Sequence, residues 1–167
     1  MSISASLLPE FDVEMWKTRK TLERVPEDKL DFRPHAKSMT MGGLATHIAN
    51  MLGWAKITIE QDSFDYAPPG SEPYHEEPIK SRAELLAKYD EALAATRAAL
   101  AAVSDEALMT DWSLLAGGKV VFTMPRVACL RSMIFSHLIH HRAQLCVYLR
   151  MNDVPVPALY GPSADES

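Results

Sequence analysis

The sequence predicts an all-α protein, a four-helix bundle with a small hairpin or extended insertion before the last helix. Three observations carry this reading. Four long segments place apolar residues at helical spacing, the apolar residues are dominated by alanine, leucine and methionine, and the second connection between helices is long. The 167 residues amount to one domain by length, ordinary in composition at 47% hydrophobic and 23% charged.

The first helix runs from Leu7 to about Val25, with Leu8, Phe11, Met15 and Leu22 on its apolar side and Trp16 beside that stripe. Pro26 ends it. Residues 26–40 are a connection pinned by Leu30 and Phe32, and His35 lies in it as a solvated side chain beside a proline. The second helix extends from about Thr40 to about Gln61, with Leu44, His47, Met51, Trp54 and Thr58 in line. Gly42, Gly43 and Gly53 weaken its propensity, for which close approach by a neighbouring helix is one physical use.

Residues 61–79 contain Pro68, Pro69, Gly70, Pro73 and Pro78, so they cannot form one regular helix. Tyr66 and Tyr74 in this loop either cover a pocket mouth or anchor the loop, and His75 with Glu76 and Glu77 is within conceivable reach of a metal. Ser81 followed by Glu84 is a capping-box pattern that opens a third helix through Leu85, Tyr89, Leu93, Leu100 and Val103. After a turn at residues 105–108, two extended pieces flank Gly117-Gly118 and form a small hairpin. The last helix continues from Pro125 or Arg126 to about Met151 and is apolar nearly all round. Residues 1–152 therefore make the domain, and 153–167 a proline-containing, partly disordered tail.

A net charge of −5, without a Lys/Arg stripe to neutralise phosphates, argues against nucleic acid and anionic membranes as partners. The N-terminus has no basic region followed by an apolar core, and no uninterrupted apolar run reaches membrane-spanning length, so a cytoplasmic protein is expected. Cys129 and Cys146 lie in one helix about 25 Å apart, too far for a disulfide between them.

The chemistry concentrates in the last helix. His137 and His141 are four residues apart, stack on one face, and continue a stripe through Leu130, Ile134, Leu145 and Tyr148, so their imidazoles should face inward. Such a pair is either two core histidines satisfied by hydrogen-bond partners or two ligands of a divalent cation. His47, on the inward side of the second helix, can supply a third ligand from a packed neighbour. Three histidines leave coordination positions open for water or substrate, as in catalytic rather than closed structural sites. His140 points away from the pair, and Arg142, a candidate for a substrate anion or a helix–helix ionic contact, projects about 100° from His141, which favours the structural or dimer role.

The strings Gly43-Leu44-Ala45-Thr46-His47-Ile48-Ala49 and His137-Leu-Ile-His140-His141-Arg142-Ala143-Gln144 resemble the two metal-binding motifs of the DinB-like superfamily, over about residues 5–152. The chain departs from the common string by having Ala143 where glycine is usual, and it has no obvious additional carboxylate ligand at a motif position. The resemblance implies an up-down-down-up four-helix bundle, a homodimer, and nickel, zinc or a related divalent ion held by His47, His137 and His141. It further implies a metal-dependent reaction on a small molecule, with S-transfer using a low-molecular-weight thiol as co-substrate foremost. A hydrolase of the same fold and a non-enzymatic metal-binding protein are the alternatives.

Overall fold

A computed structural model describes residues 2–167 and shows a mostly helical chain with one small three-stranded sheet. Each long helix except the last begins on a hydroxyl cap. Helix α1 (Ile3–Leu22) starts where Ser2 Oγ accepts from Ala5 N, a turn ahead of the apolar pattern that begins at Leu7. Helix α2 (Met41–Glu60) starts on Thr40, whose Oγ1 accepts from Gly43 N. Helix α3 (Arg82–Ala102) starts on Ser81, which accepts from Glu84 N, while the Glu84 carboxylate returns to Lys80 N at 2.9 Å rather than to Ser81 N.

The four long helices share one apolar core, and polar contacts fix the sense of each pair. Between α1 and α3, Asp12 pairs with Arg97, Met15 O accepts from Tyr89 OH, and Arg19 pairs with Asp90, an antiparallel order. Ile79, just ahead of α3, donates to Thr46, and Thr96 donates to Leu52 O at 2.7 Å, so α2 and α3 run in the same sense. Helix α6 (Ser136–Met151) packs on both α1 and α2. It follows the direction of α1, since Glu10 meets Arg131, Phe11 meets Phe135 and Glu14 meets Arg142. It runs against α2, whose Thr58 lies by Cys129 and whose His47 lies by His141.

The expected hairpin is present and is larger than a simple insertion. Strands β2 (Asp111–Ala116) and β3 (Lys119–Pro125) pair antiparallel around Gly117 and Gly118, at φ of 62° and 74°. Two successive positive-φ residues suit the right-handed twist of a two-residue turn, which is why both positions are glycine. The register slips between Leu114 and Leu115, leaving Val121 as the extra residue of a bulge. A further strand, β1 (Ser63–Asp65), pairs parallel to β2 and was not anticipated. Three residues carry too little alternation to mark a strand, and the partner lies far along the chain. The Asp65 carboxylate clasps the turn by accepting from Gly117 N at 3.1 Å and Gly118 N at 2.7 Å.

A short helix α4 (Asp105–Met109), capped by Ser104, fills the place of the expected turn. Helix α5 (Arg126–Cys129) continues through a π-helical stretch at Leu130–Phe135 into α6. Arg126 is buried and donates to Thr58 O, Gln61 O and the Asp62 carboxylate. A cation thus satisfies carbonyls at the end of α2, where the helix leaves acceptors without intrahelical partners.

The buried line of the last helix differs from the expected stripe in one respect. Ile134, Leu138, Arg142, Leu145 and Leu149 are buried, whereas His137 and His141 are only partly so, on the edge facing α2. Arg142 reaches the core because Glu14, Thr18 and the Glu14 carbonyl receive its guanidinium. The tail, expected to be partly disordered, lies back over this pair: Tyr160 OH donates to Glu14 at 2.6 Å, and Arg24 and Arg150 pair with Glu166 and Asp165. The glycines of α2 do not serve a neighbouring helix. A Cβ on Gly42 would stand 3.2 Å from Leu30 Cβ, in the connection before α2, and Gly53 faces open space. No helix among the described residues is long and apolar enough to cross a membrane.

Candidate metal centre

The three histidines singled out from the sequence come together between α2 and α6. One ring nitrogen from each of His47, His137 and His141 lies within 4.8 Å of the others. The rings are 4.5 Å apart for His137 and His141, and His47 is 5.5 and 4.8 Å from them, all between centroids. The antiparallel crossing of α2 over α6 brings His47 opposite the i,i+4 pair, so two helical faces suffice to build the cluster.

Each Nδ1 has its own partner. His47 Nδ1 is 3.1 Å from Glu76 Oε2, His137 Nδ1 is 3.2 Å from the Met133 carbonyl, and His141 Nδ1 is 2.8 Å from Gln144 Oε1. Three acceptors at Nδ1 place the ring protons there and leave the Nε2 lone pairs for the centre of the cluster. The Nε2 atoms of His137 and His141 approach to 2.8 Å. Two lone pairs at that distance repel unless a cation or proton lies between them.

Protonation of His137 and His141 does not compete strongly near neutral pH. Burial lowers the pKa of His141 to about 4, with the neighbouring His47 and His137 acting in the same direction and the Gln144 hydrogen bond against them. Burial likewise lowers His137, against the Met133 carbonyl. Neutral imidazoles with free lone pairs are the form that binds a metal ion. Among the described residues no carboxylate or thiol joins the three nitrogens. The donor set therefore fits an ion of borderline character such as zinc or nickel, with positions left for exogenous ligands.

Glu76 is the residue that sequence reasoning missed in this role. The proline-rich loop brings its side chain, 17% exposed, onto His47, and Tyr74 OH lies 3.4 Å from the other carboxylate oxygen. Burial pushes the Glu76 carboxyl up, but its hydrogen bond to His47, with those to Asn50 and Tyr74, outweighs it and holds the group below its ordinary range. His75 is exposed and takes no part. His140, outside the ligand set as expected, receives a hydrogen bond from Gln144 Nε2 at 3.0 Å, so one amide spans His140 and His141. Cys146 lies off the cluster, and its thiol is pushed up by burial; Cys129 is similarly raised and inert. Ala143 is exposed, so its methyl group displaces nothing in the core.

A cavity of 240 Å³ adjoins His137. Its walls come from α2, the loop, the hairpin and the start of the last helix, including Trp54, Phe64, Tyr74, Trp112, Phe122 and His137.

Comparison with known proteins agrees with this architecture. A model of the DinB superfamily matches residues 11–145. The uncharacterized protein YrdA of Bacillus subtilis (strain 168) is 27% identical over 161 residues, covering 95% of this chain and 89% of YrdA. The crystal structure of the DinB-like protein YjoA from Bacillus subtilis superposes with a TM-score of 0.69 at 18% identity, over 95% of this chain and 99% of that one. A DinB-like protein from Bacillus cereus ATCC 10987 gives 0.69 at 22% identity, over 95% and 98%. At these identities the two structures establish a shared fold and nothing further.

Proposed function

The chain belongs to the DinB superfamily, and from that premise we propose that it binds a divalent metal ion, nickel or zinc, through His47, His137 and His141. The ion serves a reaction on a small organic molecule, S-transfer from a low-molecular-weight thiol. The observation that carries this reading is the arrangement of the three imidazoles, each tied at Nδ1 and converging within 4.8 Å. A purely structural trio would satisfy its inner nitrogens with protein donors, whereas here the inner nitrogens of His137 and His141 face each other.

When bound, such an ion lowers the pKa of a coordinated thiol or water and acts as a Lewis acid. The chain's own residues do the remaining work. Glu76, Met133 and Gln144 hold the rings in orientation, and the aromatic walls beside His137 keep water from an organic substrate. In S-transfer a bond forms from thiol sulfur to carbon, the thiol proton is released, and the leaving group departs with the electron pair of its bond to carbon. The thiol comes from the resemblance of the motifs, and the apolar cavity supports an organic partner. The same reading takes the four long helices as an up-down-down-up bundle, supported by the contact senses between α1, α3, α2 and α6. It also takes the protein as a homodimer, which sedimentation at the mass of a single chain would exclude.

Elemental analysis of purified protein against the His137→Ala/His141→Ala double variant tests the site. Stoichiometric metal in the parent and none in the variant is expected; equal content sinks the three-histidine centre. Loss of electrophile in the presence of thiol, abolished by chelation, separates an enzyme from a metal-binding protein.

A further inference from the structure

The cavity beside His137 combines three properties that together describe its ligand. It is large enough, its lining has no charged group, and the surface it exposes is almost wholly apolar. We propose that this cavity seats an uncharged, flat, apolar single-ring organic molecule. The inference rests on the metal-centre reading for the view that this molecule is the substrate.

Size comes first. An apolar cavity of about 150 Å³ accommodates benzene, so 240 Å³ has room for one ring with substituents. It falls short of the roughly 300–1,000 Å³ typical of pockets for drug-sized ligands. Shape follows from the walls. Trp54 and Phe64 each stand 6.0 Å from Tyr74, and Trp112 stands 6.1 Å from Phe122, between ring centroids. Rings at these separations offer faces and edges to a further aromatic ring.

Charge is decided by what is missing from the lining. No Asp, Glu, Lys or Arg contributes to it, and the surface it exposes is almost wholly apolar. A carboxylate or ammonium ion entering the cavity would lose its hydration without a charged partner, a penalty far larger than the attraction of the walls. A neutral molecule loses little.

The indole Nε1–H groups of Trp54 and Trp112 are buried away from the cavity surface, so what the walls offer a ligand is apolar contact. One face of the cavity belongs to His137, so a ring seated here lies next to the metal centre.

Calorimetric titration of the full chain with ethylbenzene and benzoate tests this, in both metal-loaded and chelator-treated protein. Benzoate is compared in the chelated protein, where no ion can draw its carboxylate. Ethylbenzene is expected to bind saturably in both forms, and benzoate not to bind. Leu114→Trp, which fills the cavity from β2, should abolish ethylbenzene binding while leaving metal content unchanged, and Ile57→Trp, which fills it from α2, serves should Leu114→Trp not fold. Benzoate binding as well as ethylbenzene, or unchanged ethylbenzene binding in the cavity-filling variant, overturns the proposal. Metal content is read separately, so a protein that loads metal but binds no ring refutes the cavity assignment alone. One that binds the ring but no metal refutes the metal centre alone.

Discussion

The carboxylate of Glu76 lies 3.1 Å from Nδ1 of His47, so a residue from the proline-rich loop holds a ring on α2. Carboxylate partners of this kind fix the tautomer and raise the basicity of the opposite nitrogen, and their loss typically lowers metal affinity 10- to 100-fold. Glu76→Gln should therefore weaken zinc or nickel binding by about that factor, measured by competition with a chromophoric chelator. Unchanged affinity would remove Glu76 from any part in the centre.

Metal should also stabilise the fold, because the three ligands come from two helices that unfolding separates. At free metal 100 times the dissociation constant the gain is about 2.7 kcal/mol. For a chain of this length that is a rise in Tm of roughly 5–10 °C. Calorimetry with and without chelator should show the difference in the parent and none in His137→Ala/His141→Ala.

How much of this was legible follows from how local each signal is. Thr40 and Ser81 announce helix starts because capping is settled within one turn. His137 and His141 meet because helical spacing alone makes them neighbours, and His47 follows from the apolar stripe of α2 once packing against α6 is assumed. Glu76 was illegible as a partner because its position depends on the path of an irregular loop. Arg142 was legible as a helix–helix contact, but its partner was not, because Glu14 lies far away in the chain and only the packing of α1 on α6 brings it to the guanidinium. The π-helical turn at Leu130–Phe135 alters hydrogen-bond register without altering the apolar pattern, so nothing in the residues marks it.

The hairpin depends on two residues in left-handed backbone and on one carboxylate that binds both. Gly118→Ala puts a Cβ at φ of 74°, a conformation that destabilises an L-residue by about 1–2 kcal/mol. Asp65→Ala removes the acceptor for Gly117 N and Gly118 N. Hydrogen exchange should show both amides losing protection in Asp65→Ala while the amides of α3 keep theirs; equal loss in α3 would mean that the sheet is not an independent element.

The buried pair of Glu14 and Arg142, 2.5 Å apart, ties α1 to α6, and the tail adds Tyr160 to the same carboxylate. Breaking a buried pair by neutralising one member leaves the other charge uncompensated, at about 3–5 kcal/mol, so Glu14→Gln should lower stability by that order in urea titrations. The pH dependence has a definite sign. Burial pushes the Glu14 carboxyl up, but hydrogen bonds from Tyr160, Lys17 and Arg142 outweigh it, and the net value lies below the ordinary one. A group whose folded pKa is depressed binds more protons in the unfolded chain, so its stabilisation is complete above the unfolded value of about 4.3. It is lost as pH falls through the lowered folded value. The stability gap between parent and Glu14→Gln should therefore be full and flat above about pH 5 and close progressively below it. A gap that stayed constant into the acid range would show that Glu14 acts through packing rather than through its charge.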